Sequence, residues 1–246
     1  MSGAELTESG GDEVIPLTKI RRLIAHRMVQ SKATSPHTLM ARELDYEAAD
    51  SVRREHAAAF KEAEGFSLTY LSFSACATVQ ALREFPYLNA SVLDEALVVH
   101  RAINLGIAVD LPQGGLVVPV IHGAQDLTLR QMALAIHDVA ERARAAKLGM
   151  DDITGGTFTI TNTGPFATLL TGAIINQPEV AILATDGVAR RPVVVTSPDG
   201  DETIAVRPIG IASINFDHRA LDGAYVARFL ARLAEILHGR DWAGEL

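Results

Sequence analysis

The amino-acid sequence predicts an α/β protein, because two apolar periods alternate along it and its apolar content is enough for one large core. From Thr128 to Lys147 apolar residues return every three or four positions, the spacing of one helix face. Thr157 to Thr161 and Ile209 to Phe216 instead alternate every second residue, as strands do. Apolar residues make up 48% of the 246, so the economical reading is one domain over residues 14–246 preceded by a flexible tail or linker remnant over residues 1–13.

Charge and cysteine usage narrow the partners. Asp and Glu number 30 against 22 Lys and Arg, a net charge of -8 with the acids dispersed, so neither nucleic acid nor an anionic membrane is an expected partner. The single cysteine, Cys76, cannot form an intrachain disulfide, which fits a reducing compartment. No segment has the pattern of a signal peptide or a bilayer span, and the cytoplasm is the expected location.

In chain order, MSGAELTESGGDE has no apolar period and two acidic, Gly/Ser-bearing runs. After Pro16 a helix is expected, with Ile20, Leu23, Ile24 and Met28 on one face and Arg21, Arg22 and Arg27 elsewhere; those arginines suit an anionic ligand, a neighbouring subunit or plain solvation. SKATSPHT, residues 31–38, breaks the pattern at Pro36 and places His37 in or beside a loop. Thr38 to Glu43 has the composition of a short strand, and Asp45 to Glu64 that of a helix ending at Gly65, with His56 on its polar boundary. Leu68 to Phe85 is apolar or small almost all round, which predicts a buried helix stopped by Pro86. Cys76 within it reads as core packing, since no basic partner stands at a spacing that would activate its thiol.

LNASVLDEALVVHRAINLGIAVD reads as short strands and turns, with His100 in one of them, and DLPQGG at 110–115 as a turn between two β-rich runs. It is not a dinucleotide loop, because the G-x-G-x-x-G spacing is absent. The helix over 128–147 puts Leu129, Met132, Ala133, Ile136, Val139 and Ala140 on its stripe and His137 off it, as a surface residue. RRPVVV and TIAVRPIG, joined by SPDG, form an expected outer hairpin, and Asp222 to Leu237 a closing helix with Val226, Phe229, Leu230, Leu233 and Leu237 inward.

Two stretches carry chemistry. GGTFTITNTGP, residues 155–165, ends a strand in Thr161, Asn162 and Thr163; a hydroxyl there either stabilises a developing oxyanion or bonds its own turn. GIASINFDHRALDG, residues 210–223, ends a strand in His218, where an imidazole can act as a general base. The competing reading has Asp217 and Arg219 as a surface ion pair, His218 as a satisfied turn residue and Asp222 as the N-cap of the last helix. No repeat, P-loop or zinc-ligand cluster is present, and no bound metal is expected.

Together, IRRLIAHRMVQSKATSPH, INLGIAVDLPQGGLVVPVI, GGTFTITNTG, IINQPEVAIL and SINFDHRALDG resemble, in order and over about Val14 to Leu237, the catalytic domain of the dihydrolipoamide acyltransferases. These are the E2 cores of 2-oxo acid dehydrogenase complexes. The resemblance implies a chloramphenicol-acetyltransferase-like fold with a mixed central sheet and flanking helices, and a homotrimer that can assemble further into a 24-mer or 60-mer. It implies acyl transfer between the co-substrates dihydrolipoamide and coenzyme A. By the same resemblance His218 is the general base, Thr161 the hydroxyl facing the oxyanion and Asp222 an acidic residue that holds the site, with Asn215 and Phe216 lining or supporting its entrance. His218 and Thr161 then come from different subunits.

The sequence also departs from the family pattern. TNTGPFATLLTGA lacks the usual Leu-Gly turn, with Thr163 and Pro165 in unusual places, and DLPQGGL is one glycine longer than the common form. Neither a lipoyl domain nor a peripheral-subunit-binding domain is recognisable, so a lipoylated carrier is expected in trans or as a part removed from this chain. A 2-oxo acid dehydrogenase and dihydrolipoamide dehydrogenase are the expected companions. Two other readings stand beside this one: a same-fold acyltransferase with a non-lipoyl acceptor, and a scaffold without catalysis.

Overall fold

The computed structural model of the protein describes residues 13–112 and 114–246, so the tail expected over residues 1–13 lies, apart from Glu13, outside the described residues. Helix α1, Lys19–Thr34, starts where the Thr18 hydroxyl accepts the Arg21 N–H at 3.2 Å. It runs through SKAT, where a break was expected, and stops at Ser35, which Pro36 forces into extended conformation. Its apolar side is only partly covered by the described residues: Ile20 is 65% and Leu23 53% exposed, while Ile24 and Met28 are half-buried. Helix α2, Glu47–Glu64, ends at Gly65, whose φ of 82° only glycine adopts without strain. Helix α3, Tyr70–Glu84, is buried on nearly all sides, as its composition requires. A capping box between Thr128 and Gln131 opens α4, Leu129–Arg144, and α5, Gly223–Gly239, closes the chain.

Eleven strands are formed among the described residues: β1 (His37–Asp45), β2 (Ala90–Leu93), β3 (Ala96–Val99), β4 (Leu105–Ile107), β5 (Val109–Asp110), β6 (Leu116–Val117), β7 (Val120–Ile121), β8 (Phe158–Asn162), β9 (Ala181–Thr185), β10 (Ala189–Thr196) and β11 (Glu202–Asp217). Seven of them build the main sheet in the order β1-β11-β9-β8-β4-β7, with β10 on β11. The β4–β8 and β8–β9 pairs are parallel and the others antiparallel, which makes the sheet mixed. TIAVRPIG and the run to Phe216, legible as two strands, are one strand of 16 residues. Pro208 is accommodated within it because the ladder changes partner there: β10 pairs Glu202 to Ile209, and β1 pairs Ile209 to Asp217.

Alternation gives the sheet two unlike faces. Phe158 and Ile160 of β8, Ala181 and Leu183 of β9, and Ala212, Ile214 and Phe216 of β11 join the apolar core with side chains of α3, α4 and α5. Thr159, Thr161, Ser213, Asn215 and Asp217 take the other positions and make the opposite face polar. An irregular strap covers part of it: Ser213 Oγ donates to the Thr171 carbonyl at 2.6 Å, and Asn215 Nδ2 donates to that of Ala173.

Candidate active site

His218 follows directly on the last residue of β11, and its backbone is held from two sides. Its N–H donates to the Pro36 carbonyl at 3.0 Å, while the Asp217 N–H before it donates to Val180 O at 2.8 Å. The imidazole is exposed, lies 5.6 Å from the Phe216 ring, and makes no hydrogen bond to a described residue. Arg219 folds back on Asp217: Nε and Nη2 donate to the carboxylate, the latter at 2.6 Å, and its backbone N–H donates to Oδ1 at 2.9 Å. The pair is asymmetric, because Asp217 is 1% exposed and Arg219 39%. Burial pushes the Asp217 carboxyl up, but hydrogen bonds from Arg219 and Ser35 together with the Arg219 charge outweigh it and hold the group below the ordinary carboxylate value. The result is a rigid turn that presents the histidine without touching its ring.

Thr161 is near the C-terminal end of β8, half-buried on the polar face, and its hydroxyl bonds no described residue. It is level with Ala184 of β9 and, through that residue, with Ser213 of β11. His218 is therefore five residues further along and two strands away, about 19 Å from Thr161 at ~3.3 Å per residue and ~4.8 Å per strand. The two cannot meet one carbonyl within a single chain. Asn215 is on the same polar face and spends its amide on the strap, whereas Phe216 is fully buried on the core side, where its burial contributes about 2 kcal/mol. Phe216 backs the histidine and lines no surface of this chain.

Asp222 occupies the N-cap position of α5, yet its side chain makes no capping hydrogen bond. It is exposed and forms no ion pair among the described residues, so the expected cap is not formed there.

The chain matches the family 2-oxoacid dehydrogenases acyltransferase (catalytic domain) over residues 9–242. The chain belongs to that family. It is 38% identical over 95% of its length to the lipoamide acyltransferase component of the branched-chain alpha-keto acid dehydrogenase complex of Bacillus subtilis, and 38% identical over 94% to the acetyltransferase component of the pyruvate dehydrogenase complex of Corynebacterium glutamicum. It spans 54% and 34% of those two relatives. A dihydrolipoamide acetyltransferase structure from Azotobacter vinelandii superimposes with a TM-score of 0.88 at 30% identity, covering 97% of this chain and 96% of that one. That study concerns a serine, a histidine and an asparagine in the catalytic mechanism, the last two four positions apart, as His218 and Asp222 are here. Chloramphenicol acetyltransferase, at 15% identity and a TM-score of 0.52 over 86% of this chain and 94% of that one, shares the fold.

Several features of this acyltransferase domain were not legible in its sequence. His37, beside the Ser35–Pro36 break as expected, opens β1 and has both ring nitrogens engaged: Nε2 accepts the Ile175 N–H at 3.1 Å, so Nδ1 carries the proton and donates to Ser35 O at 2.7 Å. His137, expected as a plain surface residue, is exposed but stacks on Phe66 with ring centroids 3.9 Å apart. Both rings line a cleft of about 810 Å³ that also takes in Tyr70, Ser74, Asn162 and Asp186. Glu179 is 2% exposed; its Oε1 accepts from Thr159 and Asn176, its Oε2 has no partner among the described residues, and burial pushes it up to about 8. Cys76 is core packing as expected, its thiol pushed up to about 12 by burial. Spacing could not reveal the contacts of His37 with Ile175, His137 with Phe66 and Glu179 with Thr159, because these partners come from remote segments. Among the described residues no helix is long and apolar enough to cross a membrane.

Proposed function

We propose that this chain transfers an acyl group between dihydrolipoamide and coenzyme A, at a site completed by a second copy of itself. The observation that carries the reading is the placement of an unengaged imidazole, His218, and an unengaged hydroxyl, Thr161, on one sheet but about 19 Å apart. A homotrimer in which the end of β11 of one subunit meets the end of β8 of the next brings both groups to one thioester.

In the direction that makes acyl-CoA, an imidazole nitrogen of His218 takes the proton from the coenzyme A thiol as sulfur attacks the thioester carbonyl. The carbonyl oxygen gains negative charge, and the Thr161 hydroxyl donates to it; the extra methyl limits its rotamers relative to serine. Collapse expels the dihydrolipoamide sulfur, which recovers the proton from the imidazolium. One thioester replaces another, so no redox step is required. The Asp217–Arg219 turn keeps His218 in place throughout, and the Asn162 end of the cleft lies beside Thr161, giving room for one carrier arm. A lipoylated carrier, a 2-oxo acid dehydrogenase and dihydrolipoamide dehydrogenase are the companions of this reading. A relative with this fold, 31% identical, forms the cubic core of a pyruvate dehydrogenase multienzyme complex, which supports trimers as the building unit and a 24-mer, rather than a 60-mer, as the larger assembly to look for first.

The altered turn after Thr161 favours a second reading, a same-fold acyltransferase with a non-lipoyl acceptor. Initial rates with acyl-CoA of several chain lengths and free dihydrolipoamide separate the two. The first reading expects a thioester product, a loss of about a hundred- to ten-thousandfold in trimeric His218→Ala, and little loss in His238→Ala, an exposed histidine at the far end of α5. Thr161→Ser should keep substantial activity and Thr161→Ala lose mainly turnover. Wild-type protein that makes no product with dihydrolipoamide, or His218→Ala at the wild-type rate, overturns the reading.

A further inference from the structure

The turn that Thr161 leads into is built around a buried anion. Thr163, Thr168 and Thr171 each donate a hydroxyl to Asp186 Oδ1, at 3.0, 2.7 and 2.7 Å, and the Thr171 backbone N–H donates to Oδ2 at 3.1 Å. Asp186 is 3% exposed, and its partners are hydroxyls and an amide rather than a cation. Burying an uncompensated carboxylate is costly unless its hydrogen bonds are saturated, and the short O–H···O contacts are of the charge-assisted kind. Such an arrangement persists where it fixes geometry that the backbone alone would not.

We propose that Asp186 is a positioning residue for Thr161, holding the turn after β8 so that the threonine hydroxyl keeps one orientation toward the reacting carbonyl. The proposal rests on the acyl-transfer reading. Asp186 directly follows Thr185, which pairs with Asn162, the residue after Thr161, and whose carbonyl accepts the Thr163 N–H at 3.1 Å. On the other side, Asn162 Oδ1 accepts the Gly164 N–H at 3.0 Å and the Thr185 hydroxyl at 3.3 Å. The turn then packs backbone against backbone. A Cβ on Gly187 would stand 3.0 Å from Ala167 Cα, and one on Gly164 would stand 3.0 Å from the Asp186 carbonyl. Ala167 is held at φ 54°, a left-handed conformation costly for alanine, with its neighbour Thr168 tied to Asp186 by its hydroxyl and to Gly187 N by its carbonyl. Beyond it the Thr171 carbonyl accepts from Ser213 of β11. The turn is thus anchored at both ends, and Asp186 is where its hydroxyls converge.

A carboxylate suits this place better than a carboxamide. Four donors converge on it, and an amide would replace one acceptor oxygen by an NH2, which the threonine hydroxyls could accept only by giving up their own bonds to that oxygen. If the charge itself mattered to catalysis, it would oppose the developing oxyanion, so removing it would raise the rate. Loss of position lowers it. Asp186→Asn therefore tells the two apart.

In acyl-CoA:dihydrolipoamide transfer, Asp186→Asn is expected to lower kcat about ten- to a hundredfold, with KM for either carrier within about twofold. In a Thr161→Ala background the same substitution should cost less than about twofold, because the group it positions is gone. Thr168→Ser should keep the rate and Thr168→Val lose about tenfold, which tests the network with variants that leave the carboxylate in place. A similar fold-loss in both Thr161 backgrounds, or an Asp186→Asn rate at or above wild type, overturns the proposal. Should wild-type protein transfer no acyl group, the functional reading is what fails. The positioning of the turn is then read by amide hydrogen exchange of Thr163 and Thr171: acceleration confined to residues 163–171 in Asp186→Asn sustains it, and unchanged exchange overturns it.

Discussion

Thr161 and His218 share a sheet, but the register of β8, β9 and β11 sets them about 19 Å apart, too far to act on the same atom. A two-group mechanism in this chain is therefore a mechanism between chains.

Mixed oligomers test that relationship directly. Thr161→Ala and His218→Ala proteins should each be nearly inactive, and unfolding and refolding them together should restore activity at about a quarter of the sites, where an intact histidine of one subunit faces an intact threonine of the next. Activity of the mixture no greater than the sum of its parts, with trimers verified by light scattering, would remove the shared site.

Glu179 makes stability depend on pH in an identifiable direction. Burial, only partly offset by hydrogen bonds from Thr159 and Asn176, pushes it from 4.5 to about 8. Between those values the folded chain keeps a proton that the unfolded chain releases, so this group costs stability increasingly as pH rises from about 4.5 to about 8. Glu179→Gln keeps an acceptor oxygen for Thr159 and Asn176 and cannot ionise. Its Tm should match the wild type near pH 4.5 and exceed it increasingly toward pH 8; parallel Tm–pH curves would contradict the assignment.

The Asp217–Arg219 pair has the opposite sign. Asp217 is held below its ordinary value, so its contribution is present above that value and is lost as pH falls through the lower, folded one. Arg219→Ala leaves a buried carboxylate without its cation. Because Arg219 is 39% exposed, the expected cost is about 2 kcal/mol, less than for a fully buried pair, and activity should fall with it as the turn bearing His218 loosens. Arg219→Lys keeps the charge without the fork that reaches both oxygens and should fall between. Urea unfolding of the three proteins gives the comparison, and equal stability would show the pair to be ornamental to the fold.

The sequence by itself determined the elements and the place to look. Apolar composition located α3, apolar period located α4 and α5, glycine located the end of α2 at Gly65, and the motif around His218 located a strand end with a charged turn, because local sterics and period act over a few residues. Resemblance added the family, which the comparisons bear out. Only the tertiary structure decided which groups stand together. β11 is one strand because β10 and β1 pair successive lengths of it, His37 is locked by an amide 138 residues away, and Asp186 gathers hydroxyls 15 to 23 residues before it. Asp222 was legible as a cap, and the structure puts it at the N-cap position without a capping hydrogen bond and without an ion pair among the described residues. Hydrogen bonds between remote segments depend on strand register and loop path, which the whole core sets at once, so no local pattern in the sequence encodes them.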